Sequence, residues 1–86
     1  MSGGTQILIV NSDTAILEIF SKRSELLEEF VSTGARCGAV ALEKARQNDY
    51  DLIVLDQDLP DMDGREVCRQ MRSIGVRTPI IMMADV

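Results

Sequence analysis

Histidine is absent from the 86 residues, and cysteine occurs only twice, at Cys37 and Cys68. With no C-x-x-C pair and no imidazole, the chain has too few soft ligands for a zinc site. The two cysteines lie far apart and read as small thiols in a reducing compartment, not as a disulfide staple. Aromatic residues are nearly missing: Phe20, Phe30 and Tyr50 make up the 3%. Aliphatic side chains must therefore supply the core. Basic charge is also scarce, with nine Lys and Arg against fourteen Asp and Glu and a net charge of −5. That balance leaves no basic patch to neutralise phosphates, which argues against nucleic acid or an anionic membrane as a partner of this segment. No apolar run is long enough to span a bilayer, and Met1-Ser2-Gly3-Gly4 has neither the basic start nor the apolar body of a signal peptide. A cytoplasmic setting is the expectation. No G-x-G-x-x-G loop follows any apolar run, and no nucleophile–base pair is visible. A small enzyme or a dinucleotide binder is disfavoured on that ground.

What is present is a regular alternation. Gln6-Ile7-Leu8-Ile9-Val10, Phe30-Val31-Ser32-Thr33, Leu52-Ile53-Val54-Leu55 and Pro79-Ile80-Ile81-Met82-Met83 are short apolar or β-branched runs. Three of them are nearly unbroken, as in parallel strands buried on both faces. Between them lie helical patterns. Asn11 to Thr14 supplies turn and N-cap residues, and Ile16, Ile19 and Phe20 follow at i, i+3, i+4, with Leu26-Leu27 resuming the face. Gly38 to Gln47 turns Val40, Ala41, Leu42 and Ala45 inward, and the segment after Gly64 does the same with Val67, Cys68, Met71 and Ile74. Gly75 is the stop signal. Residues 1–4 are expected to fray. Strands and helices in strict alternation predict one α/β domain over residues 1–86, a doubly wound parallel sheet.

The most informative stretch is Asp51-Leu-Ile-Val-Leu-Asp56-Gln-Asp58-Leu-Pro-Asp61-Met-Asp63-Gly64. A buried strand runs into acidic residues and then a Pro-to-Gly turn, so Asp56 emerges at a strand's carboxyl end, where open α/β sheets bind ligands. This run closely resembles the central motif of response-regulator receiver domains, the phosphate-accepting modules of two-component signalling. The resemblance extends from Ile7 to Met83 and implies a flavodoxin-like sheet of strand order 2-1-3-4. It also implies that Asp56 is the phosphoacceptor and a metal ligand, that the Asp58 backbone carbonyl helps bind Mg2+, and that a histidine kinase or phosphotransfer protein is the partner. Asp58, Asp61 and Asp63 are otherwise expected to solvate and cap the helix that follows.

Three departures from the receiver pattern stand out. The family's acidic pair after the first strand is matched by Asn11 and Ser12, so Asn11 is left as a weaker metal ligand and Asp13 as a secondary candidate. The family's Thr or Ser at the end of the fourth strand is matched by Ala84, a degenerate switch position whose methyl cannot donate a hydrogen bond. The family's lysine follows a fifth strand, which has no counterpart here, nor have the usual last helices. Mg2+ binding is accordingly expected to be weak or absent, and phosphorylation of Asp56 impaired. The expected function is a non-enzymatic receiver domain in a phosphorelay. The rival is a phosphorylation-independent pseudo-receiver used for protein interaction or dimerisation. Pro79–Met83 is expected to form an exposed apolar edge that pairs with a second copy, making a homo-oligomer, although Met82-Met83 by itself reads as core.

Overall fold

The computed structural model describes residues 4–84. The elements are β1 (Thr5–Val10), α1 (Thr14–Leu27), β2 (Phe30–Ala35), α2 (Gly38–Gln47), β3 (Leu52–Asp56), α3 (Gly64–Ser73) and β4 (Ile80–Met83). All strand pairs are parallel, and the order across the sheet is β2-β1-β3-β4. The flavodoxin-like order 2-1-3-4 expected from the resemblance is the one observed. It puts the two most apolar strands, β1 and β3, in the centre, where both faces need covering.

Side chains alternate across the sheet and sort the core. Leu8, Val10, Ala35, Ile53 and Leu55 face α2 and α3, where Ala41, Ala45, Val67 and Met71 close over them. That layer is tightly sealed, with Leu8, Ile53, Leu55, Val67 and Met71 all fully buried. On the other face Gly34 lies under Leu17 of α1. This second layer is thinner, for α1 has no fully buried residue.

The boundaries differ from the sequence reading in modest ways. β2 runs through Gly34 to Ala35, because its ladder with β1 continues to the pair Val10↔Ala35. In α1 the inward row is Ile16, Leu17, Phe20 and Ser24, while Ile19 is 55% exposed. The predicted i, i+3, i+4 face was thus rotated by about one residue, and Leu26 and Leu27 do not resume it. Val40 and Ile74, expected inward, are exposed at the flanks of their helices. Met82 and Met83 are not core: with Ile81 they form the exposed outer strand, at 54%, 36% and 40% for Ile81, Met82 and Met83. The apolar edge expected at β4 is present. Of the expected frayed start, Met1 to Gly3 lie outside the described residues, and Gly4 sits against the Phe30 backbone.

Candidate functional site

The carboxyl ends of β1 and β3 lie side by side. Val10 pairs with Leu55 in parallel register, so Asn11 and Asp56 are the next residues along the two central strands. Asp56 is the last residue of β3, half-buried, and opposite Met83 of β4. Asn11, Asp13, Asp56, Asp58 and Ala84, the five candidates from the sequence, line one concavity of about 380 Å3; Ser12, Ile16 and Met83 complete its wall.

Local hydrogen bonding fixes each member. The Asn11 N–H donates to the Ala35 carbonyl at 3.0 Å, holding the strand end. Its amide oxygen accepts from the Asp13 N–H at 2.9 Å, an Asx turn that delivers the chain to α1. Asp13 is the N-cap of α1 and accepts from the Ala15 N–H at 2.9 Å. Both residues therefore work first as backbone acceptors. On β3's side, the Gln57 N–H donates to the Met83 carbonyl at 2.9 Å. The Asp56 carboxylate accepts a long bond, 3.4 Å, from the Asp58 N–H.

The β3–α3 loop then closes on itself. Asp58 and Asp63 form an isolated antiparallel bridge, with the Gly64 N–H donating to the Gln57 carbonyl at 2.8 Å. Among the described residues the Asp58 carbonyl accepts no hydrogen bond. Gly64 is required where the loop meets the strand. A Cβ there would stand 2.4 Å from the Asp56 carbonyl oxygen and 2.9 Å from the Gln57 Cα.

The acidic residues of the loop divide their work. Asp63 caps α3 as expected, accepting from the Arg65 N–H at 2.8 Å. That bond, with the Arg65 side chain beside it, holds the Asp63 carboxyl below the usual carboxylate range. Asp61 does something the sequence reading missed: it caps the preceding helix. Its two oxygens accept from the Gly38 N–H at 2.8 Å and the Ala39 N–H at 2.9 Å. Those bonds hold its carboxyl low as well. One clue was available, because Cys37, the residue at the N-cap of α2, offers no side-chain cap of its own.

Among the described residues three carboxylates line the concavity and no Lys or Arg does. Yet among the described residues no three Asp, Glu, Cys or His side chains converge as a ready-made metal cluster. A separate concavity of about 400 Å3, lined in part by Arg46, Asp49 and Arg77, sits at the amino ends of β3 and β4 and holds none of the candidates. No helix of the described residues is long and apolar enough to cross a membrane.

Comparison with known proteins places this geometry. Residues 7–85 match the family model of the response regulator receiver domain. The transcriptional regulatory protein CutR of Streptomyces coelicolor is 41% identical over 69 residues, covering 69% of this chain and 32% of the relative. The alkaline phosphatase synthesis transcriptional regulatory protein PhoP of Bacillus subtilis is 40% identical over 78 residues, or 91% of this chain and 32% of that one. The chain thus spans about a third of the length of these curated relatives. Among solved structures, a CheY-like receiver domain from Methanospirillum hungatei superimposes with a TM-score of 0.87 at 28% identity, over 98% of this chain and 66% of its own. The regulator TrrA of Thermotoga maritima, solved in complex with Mg2+–BeF, gives 0.82 at 29% identity, over 93% and 69%. Sheet order, strand-end concavity and matched residues agree: the chain belongs to the response regulator receiver domain family.

Proposed function

We propose that Asp56 accepts a phosphoryl group from a histidine kinase or phosphotransfer protein, and that it does so slowly. One observation carries the reading: the half-buried Asp56 carboxylate leaves a central parallel strand beside Asn11, in a concavity shared with Asp58, whose carbonyl has no partner among the described residues. In the transfer, an Asp56 carboxylate oxygen forms a bond to phosphorus while the bond from phosphorus to the donor breaks, and the donor group leaves with that electron pair. The protein's part is to hold the acceptor in line and offset charge on the transferring oxygens.

Receiver domains generally bind Mg2+. The Asp56 carboxylate, the Asp58 carbonyl and the Asn11 amide oxygen are all hard oxygen donors, the kind Mg2+ takes. They fit in type. When bound, the ion supplies positive charge against the phosphoryl oxygens. The weakness lies in charge: Asn11 and Ser12 are neutral, and the oxygen of Asn11 already receives the Asp13 N–H. Asp13 is a secondary ligand at best, because one of its oxygens caps α1. Ala84 lines the concavity with a methyl group and cannot donate to a phosphoryl oxygen.

Those same substitutions favour the second reading, a pseudo-receiver that binds partners without phosphorylation. Peptide mapping after long incubation with acetyl phosphate and Mg2+ separates the two. Modification confined to the peptide carrying Asp56 supports the first; an unmodified Asp56 leaves only the second. The chain acts as a cytoplasmic signalling module, not an enzyme, within a longer regulator whose output lies in other residues. Transcriptional control, named in its relatives, is the proposed output. The β4 edge is the proposed surface for pairing with a second copy.

A further inference from the structure

The start of α2 is held from outside the helix. The chain enters it through Cys37 in extended conformation, with no side-chain cap, so the first N–H groups of the helix need an outside acceptor. Asp61, at the tip of the β3–α3 loop, provides one with two bonds at 2.8 and 2.9 Å. Next to it Met62 packs where Gly38 has no side chain; a Cβ on Gly38 would lie 2.8 Å from Met62 Cγ and 2.8 Å from Val67 Cγ2. The loop tip is thus pinned polar-side by Asp61 and apolar-side by Met62.

The other end of the same loop carries the chemistry. The Asp58↔Asp63 bridge and the Gly64-to-Gln57 bond join the loop's two limbs at its base. Leu59 to Met62 is then a short closed arc between that base and α2. Where its tip sits constrains the peptide plane of Asp58, and with it the direction of the free carbonyl. Local capping of α2 alone would not require a carboxylate 23 residues away. The charge on Asp61 suits the task, because the helix N-terminus favours an anion and the two backbone bonds lower the carboxyl from its ordinary value.

We infer that Asp61 is a positioning residue for the divalent-cation site: by clasping the first turn of α2 it fixes the arc that presents the Asp58 carbonyl beside Asp56. The inference rests on the proposed role of that carbonyl. Three variants separate positioning from simple helix capping. Asp61→Ala removes both bonds. Asp61→Asn keeps an acceptor oxygen and serves as the conservative rescue. Cys37→Ser combined with Asp61→Ala gives α2 a local N-cap without restoring the clasp.

The measurement is an amide NMR titration with Mg2+, run beside thermal melts and metal-free spectra. In the wild type the amides of Asp56 to Asp58 shift with Mg2+. Asp61→Ala weakens that binding on the order of tenfold, the low end of what loss of an outer-shell support costs a metal site; Asp61→Asn falls between. In the metal-free state the Asp58 and Leu59 amides of Asp61→Ala broaden. The double variant regains melting temperature but not Mg2+ affinity. Unchanged affinity in Asp61→Ala, or affinity that returns with stability in the double variant, overturns the inference and leaves the role of the Asp58 carbonyl intact. A wild-type chain whose Asp56–Asp58 amides ignore Mg2+ overturns both together, and the metal-free spectra then show whether the clasp remains as a structural tie alone.

Discussion

At the scale of single residues, the site sets the Asp56 carboxylate at a central strand end beside the neutral Asn11 and Ser12. Asp56 was legible because a buried strand running into a Pro-to-Gly turn leaves little choice about where the carboxylate emerges. Asn11 was legible as a neutral replacement. Its commitment to an Asx turn was not, since an amide oxygen next to a helix start can turn either way. Gly64 illustrates a residue fixed by space alone, with the Asp56 carbonyl 2.4 Å from where a Cβ would be. We predict that Gly64→Ala destabilises the fold by about 1–3 kcal/mol, as overpacking against fixed backbone does. Chemical denaturation with an unchanged m-value checks it, and a loss under about 0.5 kcal/mol means that the loop yields more easily than its backbone contacts imply. Restoring charge should have the opposite sense. Asn11→Asp with Ser12→Asp is expected to tighten Mg2+ on the order of tenfold, about 1.4 kcal/mol, by calorimetry or NMR titration.

Among the elements, the central strands were the easiest to read and α1 the hardest. Short continuous apolar runs bounded by turn residues and rich in β-branched side chains read as strands, and in β1 and β3 those strands carry buried residues. α1 is amphipathic over a thin layer, and its Ile19, Leu26 and Leu27 face outward, so periodicity alone pointed to a face one residue off. The partner in the tie between Asp61 and α2 was hidden for a different reason: Cys37 hints that a cap is missing, but the carboxylate that supplies it lies 23 residues away. α3 is the most conventional helix, with Asp63 at its N-cap and Glu66 receiving Arg69 and Gln70. The Arg69 bond first, then that of Gln70, brings the Glu66 carboxyl down to about 2 from an ordinary 4.5. A depressed carboxyl stabilises the fold at pH above its unfolded value, and that contribution is lost as pH falls from about 4.5 toward 2. Melting temperature should therefore fall more steeply with acid in the wild type than in Glu66→Gln, the two converging at the acid end. Parallel curves across that window would show that the bonds to Glu66 do not persist in solution.

For the whole molecule, two faces are unequally finished. Among the described residues one is sealed by α2 and α3, the other carries α1 alone, and β4 is an edge strand with Ile81, Met82 and Met83 exposed. An apolar outer strand with free backbone groups pairs readily with another chain. We predict that the 86-residue chain self-associates at micromolar concentration, and that Ile81→Lys returns it to a monomer in light scattering coupled to size exclusion. A wild-type monomer that unfolds cooperatively would show this edge to be tolerated. The same imbalance does not reach the end of the sheet that carries Asp56, because that end is built by β1, β3 and the β3–α3 loop. The decisive measurement is the time course of phosphoryl addition from acetyl phosphate and Mg2+, followed by intact mass for the wild type, Asp56→Asn, and Asn11→Asp with Ser12→Asp. The expected result is slow, incomplete addition of one group to the wild type, none to Asp56→Asn, and faster addition once the acidic pair is restored. Rapid stoichiometric addition to the wild type that the acidic pair does not improve, or addition that survives Asp56→Asn, would contradict it.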